Sequence, residues 1–488
     1  MKRYCFYACL LGIAFMNQSC KDFLDIEPKS KGIAIANNAS DSIIYKSGSE
    51  AEAALGGVYA DFKNEYYQLD YFVNGEAQSD NAYAGGDNPD NFQIDEFRLD
   101  ATNRNVSRDW AYLYATIGKA NSVINNVPKV TDTRLTAERR KEIIAEAAFI
   151  RAFMYFQLVQ LWGDVPLQLK DVKTISAATL PEVYPLLFPA RAPAADIYKQ
   201  IILDLETALQ GVKAKGIDKG FITKGAVNAV FAKVYATQEP RDWAKVKKYS
   251  DDVISGGYAL LTNYDFLWDN AHENSDEAIW EINYNGGITD GNWGTMIFRG
   301  LDWKKFNLPA NDLIRAFDAE NDRIRKAATV VFLDVTGKWS DRQYPQTQYP
   351  FNNKTRVYTE GSNQNNIFIR LADIILLKAE AVNELGDAAA AATLVNQIRT
   401  RVNLPATSAT SQADMRLAIE KERRLELAFE AHRWYDLKRT GRAIDVMTAA
   451  KGANSVSLGY ILNKNKLFWP IPQAELDKNV KLKQNAGY

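Results

Sequence analysis

The loop segment at residues 79–86 combines one aromatic ring with neighbouring polar side chains. Its sequence, SDNAYAGG, places Asp80 and Asn81 just before Tyr83. Sugars present C–H faces that stack on aromatic rings, and they present hydroxyls that hydrogen-bond to planar polar groups. We therefore predict Tyr83 as a stacking surface for a sugar ring, with Asp80 and Asn81 bonding its hydroxyls.

A second segment, at residues 283–303, repeats this combination with larger rings. Trp293 and Trp303 are the predicted platforms, and Arg299 is the predicted partner for hydroxyls. The glycines around Trp293 would let its ring project from a tight turn. The alternative for each ring of both segments is that it packs against its own loop, as most aromatic side chains do.

Catalytic and metal-binding chemistry has fewer candidates. The chain has only two histidines, His272 and His432, which leaves few arrangements for a histidine metal site or a Ser–His–Asp triad. Carboxylates are abundant, so counting does not exclude the acid pair of a glycosidase. The acidic loop DNAHENSDE at 269–277 could hold Ca²⁺ through oxygen ligands, although it lacks the spacing of a known calcium loop. We predict no other cofactor.

The overall composition is that of a globular chain with a large core. Apolar residues make up 47% of the sequence, and 59 basic residues balance 60 acidic ones. A balanced charge gives no indication of a polyanionic partner such as a nucleic acid. Ten Trp, 24 Tyr and 22 Phe supply both core rings and rings for binding surfaces.

The first residues have the order of a secretory signal peptide. Lys2 and Arg3 precede an apolar stretch at residues 4–16, and small or polar residues follow it. This stretch is shorter than the roughly 20 residues that cross a bilayer as a helix. We predict that residues 1–19 are a cleaved signal peptide.

Cys20 follows this segment directly. Cys5 and Cys9 lie inside the apolar stretch, so the cleaved chain would keep Cys20 alone, whereas exported proteins normally pair their cysteines. The pattern resembles a bacterial lipoprotein signal, although Asn17 stands where leucine is usual. We predict that Cys20 is lipidated and that residues 20–48 form the lipidated N-terminus and a polar tether.

The remaining chain is predicted to be mostly helical. Single helices are expected at residues 50–64 and 108–127. A strong helix is expected at 136–162, where apolar residues recur at spacings of three and four and indicate one buried face. Thr136 is a plausible start for this helix, and Gly163 is a plausible stop.

Two later segments resemble the helix pairs of tetratricopeptide repeats. Residues 223–257 and 370–402 each contain two helices around a short polar turn. Residues 136–162 with 192–211 could form another such unit. Pairs of this kind bury their apolar faces by stacking on their neighbours.

Long segments predicted to be irregular separate the helices, at residues 71–107, 262–308 and 334–366. Such loops are uncommon in a compact domain unless they have a function. One short strand is expected at 277–284. Besides the residues already named, the aromatic residues of these segments include Trp268, Tyr284, Trp339, Tyr344 and Tyr349.

Motifs along nearly the whole chain resemble the SusD/RagB family of Bacteroidetes outer-membrane lipoproteins. The C-terminal motifs are IEKERRLELAFEAHRWYDLKRTGRA at 419–443 and LFWPIPQAELDKNVKLKQNAGY at 467–488. The other matching segments are CKDFLDIEP at 20–28, AEAAFIRAFMYFQLVQLWGDVPL at 145–167, LIRAFDAENDRIR at 313–325 and IFIRLADIILLKAEAVNELGD at 367–387. All of them are scaffold motifs, and none carries a catalytic pair.

The resemblance implies a mainly α-helical fold, in which tetratricopeptide-like helix pairs pack against an irregular, loop-rich ligand-binding region with a few short strands. Residues 49–488 would form this SusD-like domain, with an N-terminal part at about 49–260 and a C-terminal part at about 261–488. The family helix at 420–439 carries glutamates and arginines four residues apart, a pattern of a solvated or paired face.

The resemblance also implies a function. The protein would be a surface-exposed outer-membrane lipoprotein, anchored by lipid at Cys20, and not an enzyme. It would bind an oligosaccharide or polysaccharide and deliver it to a SusC-type TonB-dependent transporter. Two alternatives remain open from the sequence: the same role with a peptide ligand, and a secreted glycan hydrolase. The loop aromatics favour a glycan, because extended peptides are more often held by main-chain hydrogen bonds.

Overall fold

The computed structural model describes residues 45–171, 177–300 and 304–488. The predicted signal peptide, Cys20 and Trp303 lie outside the described residues, as does most of the predicted tether. None of the described helices is long and apolar enough to cross a membrane.

Helices dominate the part of the chain that the structure describes, as predicted. They are α1 Gly48–Ala60, α2 Tyr71–Glu76, α3 Pro89–Asp95, α4 Arg104–Asn126, α5 Ala137–Trp162, α6 Leu180–Leu187, α7 Ala194–Gly211, α8 Lys224–Thr237, α9 Trp243–Ile254, α10 Gly287–Asp290, α11 Gly294–Phe298, α12 Asn311–Ala319, α13 Arg323–Thr329, α14 Leu371–Glu384, α15 Ala388–Arg401, α16 Gln412–Glu426, α17 Arg433–Arg439, α18 Ala443–Thr448 and α19 Gln473–Lys478.

The long helices stack in a continuous series. Helix α4 packs on α5, α5 on α7, α7 on α8, α8 on α9, α9 on α14, and α14 on α15. The pairs α8–α9 and α14–α15 are the two units predicted at 223–257 and 370–402. The pair α5–α7 confirms the third unit. The mainly helical fold with repeat-like pairs is therefore confirmed.

Helix α5 begins and ends where the sequence predicts. The Thr136 hydroxyl accepts a hydrogen bond from the Arg139 N–H at 3.1 Å, and Gly163 ends the helix with a φ of 73°. The expectation of a single buried face is wrong, because every residue from Ala145 to Trp162 is buried. Helices α1, α4, α7 and α8 all pack against this helix, so its C-terminal part has no side that faces solvent.

The strands are short and pair in four antiparallel ladders. They are β1 Ala82–Tyr83 with β5 Leu308–Pro309, β2 Val165–Pro166 with β3 Arg191–Ala192, β4 Ala278–Ile282 with β8 Asn366–Arg370, and β6 Val330–Leu333 with β7 Tyr349–Asn352. Strand β4 is the predicted strand, and all five of its residues are buried. Residues 71–107, predicted to be irregular, contain α2 and α3, so that prediction is only partly right.

One hydrophobic core includes side chains from both predicted parts of the domain. Ile150 of α5, Trp280 of β4 and Phe368 of β8 belong to it. The Trp280 and Phe153 ring centroids lie 5.0 Å apart, and the Trp280 and Phe368 centroids lie 5.3 Å apart. The chain before residue 260 and the chain after it are thus held together by shared aromatic packing.

Candidate functional site

A surface cleft of about 600 Å³ lies beside the short ladders β1–β5 and β6–β7. Three separate stretches of chain line it: residues 83–98 around α3, residues 339–343 after β6, and residues 458–461 near the C-terminus. This volume falls within the range of about 300–1,000 Å³ that is usual for small-molecule sites. The cleft is therefore the candidate site.

A cluster of tyrosines around Asp341 fixes one wall of the cleft. The Tyr83 hydroxyl donates to the Asp341 carboxylate at 2.9 Å and lies 3.1 Å from the Tyr349 hydroxyl, which also donates to Asp341. The other carboxylate oxygen of Asp341 accepts the N–H of Gln343 at 2.8 Å. Burial raises the pKa of Tyr83, and the nearby Asp341 and Tyr349 raise it further. These hydroxyls therefore stay neutral and act as hydrogen-bond donors.

Trp339 supplies the largest ring in the cleft lining. The Lys305 ammonium lies 4.3 Å from the centroid of this indole, a cation–π contact that supports the ring. The Trp339 carbonyl accepts a hydrogen bond from the Gln346 side chain at 2.6 Å, which fixes the loop that carries the indole. A large, half-buried and supported ring is the type of surface on which a sugar face stacks.

A second part of the lining is built around the buried Asp95 of α3. Its carboxylate accepts the Tyr460 hydroxyl at 2.9 Å and the Ala84 N–H at 3.0 Å. The Tyr460 ring also packs on Phe97, with the ring centroids 5.4 Å apart. Asp95 therefore ties the C-terminal stretch and the β1 loop to α3.

Gly86 allows the β1 loop to approach the chain before β5. Its φ is 80°, and a Cβ at this position would lie 1.3 Å from the Lys304 carbonyl oxygen. The neighbouring Gly85 N–H donates to the Lys305 carbonyl at 2.8 Å. Only glycine fits such a close approach at this φ. This contact holds the β1 loop against Lys305, whose ammonium lies over the Trp339 ring.

Two arginines provide polar groups at the cleft surface. Arg98 pairs with Glu96, and both are exposed. Arg342 is also exposed, and no side chain among the described residues pairs with it. A free guanidinium presents five N–H donors in a planar fork, so Arg342 is available to bond ligand hydroxyls.

The structure places only one predicted residue of the segment 79–86 in the cleft. Tyr83 lines it, but the side chain is only 9% exposed. The ring is therefore part of the cleft wall and offers little free surface on which a sugar could stack. Its role in stacking on a sugar stays a prediction.

Asp80 and Asn81 face into the scaffold instead. Arg433 binds Asp80 through two hydrogen bonds of 2.7 and 3.0 Å, and Arg424 contacts it at 3.1 Å. Burial alone would raise the pKa of Asp80, but the two guanidiniums lower it to about 2. Asn81 bonds Arg424 at 2.9 Å and Glu76 at 3.2 Å. We therefore assign both residues a structural role, because their polar groups already have protein partners.

The residues predicted at 283–303 do not line this cleft. Trp293 packs at the edge of the main core, and its backbone N–H donates to the Gln68 side-chain oxygen at 2.8 Å. The Arg299 guanidinium lies 4.5 Å from the Tyr358 ring centroid and donates to the Thr355 carbonyl at 3.2 Å. The two predicted segments are thus not brought together in the cleft.

Carboxylates of the acidic loop at 269–277 bond to other side chains of the protein. Asp269 bonds the His272 ring at 2.7 Å, and Glu277 pairs with Arg370 and Arg401 at 2.9 and 2.7 Å. No cluster of three or more acidic, histidine or cysteine residues among the described residues could hold a metal ion. A calcium ion in this loop stays a prediction without structural support.

Several residues of the cleft were not selected from the sequence. The sequence indicates Trp339 only as one loop aromatic among many. It gives no indication of four other lining residues: Asp95, Asp341, Arg342 and Tyr460. No local sequence pattern links these residues, because they come from three stretches of chain that are far apart in sequence.

Asp95 gives the fold a testable pH dependence. Burial raises its pKa to about 7, whereas an unfolded aspartate titrates near about 3.9. Because the folded pKa is the higher one, the stabilisation from Asp95 is complete below the unfolded pKa and is lost as the pH rises through 7. Urea unfolding at pH 5 and pH 8 should show a smaller loss of unfolding free energy in Asp95→Asn than in the wild type. Between pH 5 and the Asp95 pKa of about 7, the losses of unfolding free energy of the two proteins should differ by at most about 1.4 kcal/mol per pH unit.

The wild type is the proper reference for this experiment. Glu76 and Glu273 also have pKa values raised to about 7 by burial, and they remain in both proteins. Parallel pH curves for Asp95→Asn and the wild type would show that Asp95 is charged at neutral pH.

Two family models match the chain in succession. A model described as starch-binding associating with outer membrane matches residues 22–236, and the SusD family model matches residues 292–488. SusD-like protein P38 of Formosa agariphila is 27% identical to this chain, and the match covers 99% of this chain and 98% of that protein.

Solved structures share the fold. A SusD superfamily protein from Bacteroides vulgatus superimposes with a TM-score of 0.77 at 22% identity, over 90% of this chain and 99% of that one. A laminarin-binding SusD-like protein gives a TM-score of 0.73 at 27% identity, over 91% of this chain and 100% of that one. The family models, the relatives and the shared helical fold together identify a SusD-like carbohydrate-binding protein, a class that is not enzymatic. The chain belongs to the SusD/RagB family, as its motifs predicted.

Proposed function

We propose that the cleft around Trp339 binds a segment of a polysaccharide at the outer membrane. The observation that carries this proposal is the combination of a supported indole and the exposed guanidinium of Arg342, which has no side-chain partner among the described residues, in a cleft whose walls the Asp341 and Asp95 hydrogen bonds hold in place. The indole offers a face for sugar C–H groups, and the guanidinium offers donors for hydroxyls. The laminarin-binding relative supports laminarin as the first ligand to examine.

A peptide ligand is the second candidate, and the cleft geometry makes it less suitable. Peptides that add to a sheet edge need a row of free main-chain groups. The lining of this cleft is instead rich in aromatic and polar side chains from loops. The hydrolase alternative is excluded by the family, whose members bind carbohydrates and are not enzymes.

We further propose that the protein is a lipid-anchored cell-surface protein that delivers its glycan to a SusC-type TonB-dependent transporter. The family model described as starch-binding associating with outer membrane supports the location. The signal-like N-terminus and Cys20 support the anchor. Affinity purification of the protein from membranes of its native cells should recover such a transporter, and repeated recovery without one would contradict the delivery role.

Replacing Cys20 with alanine should release the protein from the membrane. Lipid chains contribute about 0.8 kcal/mol per buried CH₂ group, and several chains are needed for stable attachment. Cell fractionation should find the wild type in the outer membrane and Cys20→Ala in the soluble periplasmic or secreted fraction. The matched control is Cys9→Ala, which lies inside the predicted signal and should leave the location unchanged. Retention of Cys20→Ala in the membrane would contradict anchoring through this residue.

Binding of the purified protein to a glycan panel tests the central proposal. The panel should contain laminarin, starch, a plant xyloglucan, an algal galactan and a set of peptides, with affinity electrophoresis for screening and calorimetry for the dissociation constant. We expect at least one glycan to bind and the peptides not to bind. Binding of peptides alone would show that the ligand is a peptide and would contradict the glycan proposal.

A further inference from the structure

A second pocket, of about 380 Å³, lies between helices α5, α7, α8 and α17. It shares no lining residue with the aromatic cleft. One side is apolar, with Val159, Ala195, Tyr198 and Phe468. The volume falls within the usual range for small-molecule sites, and the apolar lining is typical of them.

Lys438 of α17 places a positive charge in this apolar lining. Its ammonium donates to the Gln160 carbonyl and lies 4.5 Å from the Phe468 ring centroid and 5.8 Å from that of Trp434. No carboxylate among the described residues pairs with it. Burial lowers the pKa of Lys438 to about 7, because the charged form lacks full solvation.

The other charged groups of the pocket already have ionic partners. Arg439 binds Glu380 through two hydrogen bonds of 2.6 and 2.7 Å. Arg241 pairs with Glu239 at 2.8 Å. Lys438 is therefore the one cation of this lining, within the described residues, that has no carboxylate partner. A partly buried charge of this kind is stabilised when an opposite charge reaches it.

We propose that this pocket binds a small organic carboxylate with an apolar body. The carboxylate pairs with the Lys438 ammonium, and the apolar body lies against Val159, Tyr198 and Phe468. An ammonium has three donors, and the Gln160 carbonyl uses one of them, so two remain for the ligand. This proposal does not depend on the glycan-binding role of the other cleft.

The test uses N-acetyl-phenylalanine as the probe and its neutral amide as the matched control, with binding measured by calorimetry and ligand-observed NMR at pH 6. We expect the acid to bind at least about tenfold more tightly than the amide, the size of effect given by a charge-assisted hydrogen bond. Lys438→Met should lose this preference, and Lys438→Arg should keep it. Lys199→Met, on the exposed surface of α7, should bind as the wild type does.

A second variant keeps the test informative if Lys438→Met does not fold. Ala195 is exposed at the pocket rim, so Ala195→Trp should fill the pocket without disturbing the core. We expect it to block the probe, with a thermal unfolding midpoint close to that of the wild type. Equal binding of acid and amide, no binding of either, or unchanged binding to both Ala195→Trp and Lys438→Met would overturn the proposal.

Discussion

Replacing Trp339 with alanine is expected to reduce glycan affinity by at least about 30-fold, because a central aromatic anchor contributes about 2 kcal/mol or more to binding. The indole is the largest ring in the cleft lining, and Lys305 supports it. The fold should tolerate the change, since the side chain is only half-buried at the edge of a small cluster. Calorimetric titration with the tightest glycan of the panel measures the effect.

Tyr358→Ala is the matched control for this variant. Tyr358 is a large, 49% exposed ring that lies over Arg299, within the other surface indicated by the sequence. If the cleft is the binding site, Tyr358→Ala should bind as the wild type does. Loss of binding in Tyr358→Ala with full binding in Trp339→Ala would move the site to the Arg299 surface.

Replacing Glu426 with glutamine is expected to lower the free energy of unfolding by about 3–5 kcal/mol, the cost of breaking a buried ionic network at one partner. The Glu426 carboxylate accepts from Arg370 at 2.6 Å and from Arg325 at 3.1 Å, and it also pairs with Arg401. Burial alone would raise the pKa of Glu426, but the three guanidiniums hold it well below its usual range. Glutamine keeps the shape and leaves these cations without their shared counter-charge.

Glu384→Gln is the control for the Glu426 variant, because it makes the same change in an ion pair with one arginine at the protein surface. Glu384 bonds Arg416 at 2.5 Å, and the Arg416 side chain is half exposed. Exposed pairs contribute about 0–1 kcal/mol, so urea unfolding should show little change for this variant. Similar losses in Glu426→Gln and Glu384→Gln would show that the buried network does not stabilise the fold as described.

The helix pairs could be predicted from the sequence because their signal is local. The apolar spacing, the Thr136 cap and the Gly163 stop all lie within a few residues of the helix that they define. Burial around all of α5 could not be predicted, since it depends on α4 and α7 packing on two sides.

The segment at 420–439 shows the limit of a charge pattern, and the structure divides it between the end of α16 and α17. Its glutamates indicated a solvated or paired face, and the structure confirms the paired form, with Glu422, Glu426 and Glu430 buried. Their partners come from α13, β8 and α15, far away in the chain. Spacing along this segment therefore indicated the glutamates but not the cations that neutralise them.

The aromatic cleft was difficult to predict for the same reason. Tyr83 of segment 79–86 lines the cleft, but Asp80 and Asn81 turn towards Arg424 and Arg433. Asp80 and Asn81 lie before strand β1, and arginines from a distant segment hold their side chains, so a polar neighbour in sequence need not share the surface of a ring. Trp339 and Tyr460 reach the cleft only through the folding of distant segments.

A crystal structure of the protein with a bound oligosaccharide from the tightest glycan of the panel tests the central claim most directly. We predict one sugar ring stacked on the Trp339 indole, with a hydroxyl bonded to the Arg342 guanidinium. A sugar bound at the Arg299 and Tyr358 surface, with the Trp339 cleft empty, would contradict the assignment of the cleft as the binding site.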